Sequence, residues 1–71
     1  MNTPLNAPVL VVDDEEDLRD LIEMTLLKMG LEVDTADGVI AAKKKLDSQP
    51  YALVLTDMRM PDGSGLEVVE Y

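Results

Sequence analysis

Residues 9–14 read "VLVVDD", a β-branched apolar run that stops abruptly on two acids. With Pro8 in front and charge behind, the run predicts a short strand at residues 9–12, buried on both faces. Residues 52–57, "ALVLTD", repeat the design and again end on an acid, Asp57. Between them "LEVDTA" at residues 31–36 alternates, with Leu31, Val33 and Thr35 one way and Glu32 and Asp34 the other, as an edge strand does. A half-polar strand is poorly suited to the middle of a sheet flanked by two apolar ones. The order 2-1-3, with "VLVV" central, removes that conflict.

The intervening segments carry helical spacing. Across residues 15–29, Leu18, Leu21, Ile22, Thr25, Leu26 and Met29 fall on one face, and Gly30 stands where a helix would stop. Acids at 15–17 and Lys28 at the far end match the helix dipole. Residues 39–48 set Val39, Ala42 and Leu46 on one side and turn Lys43, Lys44 and Lys45 mostly outward, and Pro50 closes the segment. Residues 66–71 begin a third helix. The element order β-α-β-α-β-(α) predicts an α/β, doubly wound parallel sheet with right-handed crossovers and the first two helices on opposite faces. The connection reverses between the first and third strands, and such a switch point at the strands' C-terminal ends is where open α/β sheets place their sites.

Composition narrows the chemistry. The 71 residues suit one small domain, and without cysteine or histidine they exclude disulfide scaffolds, thiolate metal sites and His-dependent hydrolases. The absence of cysteine fits a cytoplasmic setting. Fifteen acids against six basic residues leave a net charge of -9, which repels nucleic acid phosphates and argues against direct contact with them. No apolar run approaches the ~20 residues that span a bilayer, and the first eight residues, "MNTPLNAP", read as a flexible tail rather than a secretory signal.

Asp13, Asp14 and Asp57 therefore converge at one sheet end, where like charges repel unless a cation lies among them. Oxygen donors alone favour Mg2+, and a carboxylate beside a divalent ion can act as a nucleophile toward phosphate. The plainer alternative is that Asp13 and Asp14 cap the first helix and Asp57 is a turn acid. Other acidic motifs fail. A calcium loop starting at Asp13 requires Gly and Glu where Leu18 and Met24 stand. A phosphatase with a second acid two residues after its nucleophile meets Arg59 instead.

"VVDDEEDLRDLI" and "LVLTDMRMPDGSGLEVV" closely resemble the receiver domain of two-component response regulators, over nearly all of residues 9–71. The shared pattern is an acid pair after the first strand, then Asp57 followed by Met60, Pro61 and Gly65. Within the family, "LTDMRMPDGSGLEVVEY" is most similar to receivers of NtrC-like, sigma-54-dependent activators of the type IV pilus regulator kind. The resemblance implies a flavodoxin-like fold and a phosphoryl group passed from a sensor histidine kinase to Asp57 with Mg2+. It implies Asp14 as a direct metal ligand, Asp13 acting through water, and the backbone carbonyl of Arg59 completing the metal site. Met60, Pro61 and Gly65 would shape the loop, and an output domain elsewhere would control transcription. The module would accept phosphate rather than turn over substrate.

The family's phosphate-binding Ser/Thr and Lys, carried on strands farther along the domain, have no counterpart, since Lys28 and Lys43–45 all fall in predicted helices. The expectation is a truncated receiver at residues 9–71, ending within its third helix, with impaired phosphoryl acceptance and no switching. Met24 and Leu27 point off the main helical face; they are either stray surface apolars or, as the resemblance allows, part of a kinase-docking surface. The rival reading is an assembly unit without phosphoryl chemistry, which self-associates through its uncovered third strand or a helix surface.

Overall fold

In the computed structural model, residues 7–71 are described, so residues 1–6 of the expected tail lie outside the described residues. Strand β1 (Val9–Val12) leads through helix α1 (Glu16–Lys28) to β2 (Val33–Ala36), then through α2 (Val39–Ser48) to β3 (Leu53–Thr56). A small hairpin of β4 (Arg59–Met60) and β5 (Gly63–Ser64) follows, and α3 (Gly65–Glu70) ends the series. The main sheet has the order β2-β1-β3 and both pairings are parallel, as the contrast between "VLVV" and "LEVDTA" requires.

Every residue of β1 is buried, consistent with a central strand whose two faces are both covered. In parallel register residues side by side face the same way, so Leu10 aligns with Asp34 and Val54, and Val12 with Ala36 and Thr56. On this face Leu10, Val12 and Ala36 join Val39 and Ala42 of α2, Met60 of the hairpin and Val68 of α3 in one closed core. Tyr51 packs at its margin, where its hydroxyl donates to Asp34 at 2.7 Å and accepts from the Gln49 amide at 3.2 Å. Burial, with the Asp34 bond adding to it, pushes the Tyr51 hydroxyl up to about 12.

The opposite face is more open. α1 packs on β1 and β2 but contains no buried residue, and its predicted apolar stripe remains largely accessible: Leu18 is 43% and Leu21 60% exposed. Met24 and Leu27 are also exposed, as their off-face position predicts. β3 forms an edge with Leu53 and Leu55 uncovered, whereas Val54 packs inward. α1 stops as predicted, with Gly30 at φ 84° and the N–H groups of Gly30 and Leu31 donating to the carbonyls of Leu27 and Leu26.

Around the loop after Asp57, two features depart from the sequence reading. The loop after Asp57 is not irregular throughout but folds back as the β4–β5 hairpin, pairing Arg59 with Ser64 and Met60 with Gly63. α3 begins at Gly65 because Ser64 and Glu67 form a capping box: Ser64 accepts from the Leu66 N–H at 3.1 Å and donates its own N–H to Glu67 at 3.3 Å.

Candidate functional site

The sheet's hydrogen-bond ladders run one residue past the strands and place the acids. The Asp13 N–H donates to the Ala36 carbonyl at 3.1 Å, and the Asp57 N–H donates to the Val12 carbonyl at 2.9 Å. The backbones of Asp13 and Asp57 are thus fixed on neighbouring strand ends, with Asp14 one residue on. Each of the three offers one carboxylate oxygen, and these oxygens lie within 4.8 Å of one another. The cluster grades from buried to open: Asp13 is 4% exposed, Asp57 is half-buried and Asp14 is exposed.

Partners around the cluster fix its shape. One Asp13 oxygen accepts the Glu15 N–H at 2.9 Å, so the helix-entry role and the site role coexist in one side chain. Arg19 reaches back from α1 to donate to the Asp13 carbonyl at 2.9 Å. The Arg59 N–H points to an Asp57 carboxylate oxygen at a long 3.4 Å, which sets the Arg59 backbone beside the cluster. Thr56 donates its hydroxyl to the Asp57 carbonyl at 3.0 Å.

The expected loop-shaping residues have distinct positions. Met60 is buried in the core and anchors the hairpin, Pro61 is exposed at its turn, and Gly65 lies against the Asp57 backbone where a side chain would strike the Asp57 carbonyl. A cleft of about 490 Å3 lies beside the cluster, lined by Asp13, Glu15 and Asp57 together with Leu18, Ile22, Leu55 and Thr56 but not by Asp14. Three hard oxygen donors without nitrogen or sulfur fit a small divalent cation that retains part of its water shell.

Arg19, Thr56 and Asp62 were not singled out from sequence. Asp62 accepts from two α2 N–H groups, Val39 at 2.9 Å and Ile40 at 3.0 Å, and the Ile40 and Val39 bonds hold its carboxyl below the usual aspartate value. No local pattern announces these long-range contacts. The S-x-x-E capping box, by contrast, is written in residues 64–67.

The parallel sheet and the carboxylate cluster at its switch point define a receiver architecture. The chain belongs to the response regulator receiver domain family, whose model matches residues 9–71. It is 52% identical over 62 residues to response regulator protein PilR of Pseudomonas aeruginosa, covering 87% of this chain and 14% of PilR. The response regulator TrrA of Thermotoga maritima, solved in complex with Mg2+-BeF, superposes with a TM-score of 0.85 at 45% identity, covering 90% of this chain and 56% of that one. TrrA in complex with the histidine kinase ThkA gives a TM-score of 0.83 at the same 45% identity, covering 90% and 55%. The chain thus spans little more than half of these solved receivers and a small part of PilR. Among the described residues, no helix is long and apolar enough to cross a membrane.

Proposed function

We propose that this chain is a phosphoacceptor module of a two-component system, in which Asp57 takes a phosphoryl group from a sensor kinase's phosphohistidine. The observation that carries the reading is the convergence of Asp13, Asp14 and Asp57 oxygens within 4.8 Å at the ends of β1 and β3. An Asp57 oxygen attacks phosphorus, the new O–P bond forms as the P–N bond breaks, and the imidazole leaves with the bonding pair and takes up a proton. Asp14 would ligate Mg2+ directly along with Asp57, Asp13 would act through water, and the Arg59 carbonyl would complete the set. Bound Mg2+ supplies positive charge that offsets the charge of the phosphoryl oxygens. The chain's own contribution is positional: the ladder bonds hold the nucleophile, and the Arg19 and Glu15 contacts hold Asp13.

The histidine kinase complex of TrrA supports a kinase partner. The exposed Met24 and Leu27 on α1 are the surface we assign to that encounter. A cytoplasmic location belongs to the same reading, and an output acting on transcription would lie in another domain, because the net charge of -9 here opposes DNA.

Incubation with MgCl2 and acetyl phosphate, followed by intact mass measurement, tests the reading. Slow addition of one phosphoryl group is expected on the wild type, without the family's phosphate-binding Ser/Thr and Lys, and none on Asp57→Asn. A folded wild type that gains no phosphoryl group refutes it, and a label that survives Asp57→Asn refutes the assigned acceptor. The uncovered β3 edge, with Leu53 51% and Leu55 37% exposed, favours a second reading in which two copies pair through β3. A monomer by sedimentation at high protein concentration would exclude it.

A further inference from the structure

α2 lacks the usual means of satisfying its own N-terminus. Its N-cap is Gly38, which has no side chain to accept a hydrogen bond, and its first turn contains no acid. Both needs are met by a residue distant in sequence, Asp62, whose Oδ1 accepts the Val39 N–H at 2.9 Å and whose Oδ2 accepts the Ile40 N–H at 3.0 Å. The fit depends on Gly38: a Cβ there would come within 2.7 Å of Asp62 Oδ1. Asp62 sits at the turn of the β4–β5 hairpin, in the same loop as Asp57 and Arg59, and that hairpin is otherwise fixed by Met60 in the core.

We infer that Asp62 is a positioning residue: by capping α2 from the hairpin turn, it clamps the β3–α3 loop and holds the Arg59 backbone in place beside the acid cluster. The inference rests on the metal reading of that cluster and deepens it. Coupling of this kind is reciprocal, so a cation that orders the loop also protects the α2 N-terminus, and loss of the clamp weakens the cation's hold. A lost cap of ordinary strength corresponds to about a fivefold effect.

The test combines amide hydrogen exchange at Val39 and Ile40 with calorimetric titration of MgCl2, on wild type, Asp62→Ala and Asp62→Asn. Without metal, Asp62→Ala should exchange both amides about fivefold faster while β1 amides stay protected. In wild type, Mg2+ should slow exchange at Val39 and Ile40. In Asp62→Ala, that slowing should vanish and the Mg2+ Kd should rise about fivefold. Asp62→Asn, which keeps one strong acceptor, should fall between the two, and it alone decides the matter if Asp62→Ala loses its β1 protection. Unchanged exchange overturns the cap. Faster exchange with a Mg2+ Kd within twofold of wild type overturns the clamp, since a purely local cap would behave so. A wild type that binds no Mg2+ overturns the metal reading and the clamp with it, while the metal-free exchange still decides the cap.

Discussion

A single methyl group at position 65 would collide with the Asp57 carbonyl, so Gly65 is required by the close approach of α3 to the strand that presents Asp57. Gly65→Ala is therefore expected to destabilise the fold by roughly 1–3 kcal/mol and to weaken Mg2+ binding, read from a lower urea midpoint and a calorimetric titration. Arg19→Met tests the other flank: loss of its bond to the Asp13 carbonyl should cost about 1.5–3 kcal/mol and leave Asp57 phosphorylation slowed but present. Tyr51 gives a pH signature. Its folded pKa is raised from 10.0 to about 12, so its contribution is complete below pH 10 and is lost as pH climbs through 12. Chemical denaturation across that window should show stability falling, less steeply in Tyr51→Phe, with Tyr71, also raised by its bond to Asp47, left to titrate. At this scale the sequence displayed Asp13, Asp14 and Asp57 because each ends or follows an apolar run. Arg19 and Asp62 were hidden, since their partners are backbone groups whose positions depend on how the chain turns.

Among the elements, those with a strong period were legible and those built by loop pairing were not. Residues 39–48 form α2 with the bounds the spacing predicts, and Val39 and Ala42 are buried as expected. α1 and β3 are each slightly shorter than read, and β2 starts at Val33 rather than residue 31: the Leu31 N–H still closes the end of α1 on the Leu26 carbonyl, while the Glu32 carbonyl already accepts from the Val9 N–H at 2.8 Å. The β4–β5 hairpin escaped because two-residue strands have no readable alternation. Element ends provide their own test. Gly30→Ala, forced to keep a positive φ, should lose about 1–2 kcal/mol, and Ser64→Ala should lose about 1 kcal/mol by removing the α3 cap. Thermal denaturation followed by circular dichroism measures both, and a Gly30→Ala protein as stable as wild type would contradict the assigned helix stop.

For the molecule as a whole, one face is closed by α2 and α3 and the other lies open beside β3, although "VLVV" at the centre is buried throughout. The strand order could be read because polarity differs so sharply between "LEVDTA" and its neighbours; the unequal cover of the two faces could be only half read, since α1 has the right stripe yet buries no residue of it fully, with Ile22 and Leu26 half-buried. Fifteen acids and a tight carboxylate cluster set the solution behaviour. Added NaCl should raise the urea midpoint by screening like charges, and MgCl2 at matched ionic strength should raise it further, as an increase in unfolding free energy of about 2.7 kcal/mol at a hundredfold excess over Kd. Equal effects of the two salts would argue against a specific cation site. The ladder bonds from Asp13 to Ala36 and from Asp57 to Val12 also carry a kinetic meaning. β1 and β3 are far apart in sequence, so repulsion among the acids opposes the long-range pairing that brings them together. If that pairing follows the folding barrier, Mg2+ will slow unfolding and leave refolding nearly untouched, which makes the cation a latch on a finished fold rather than a guide to it.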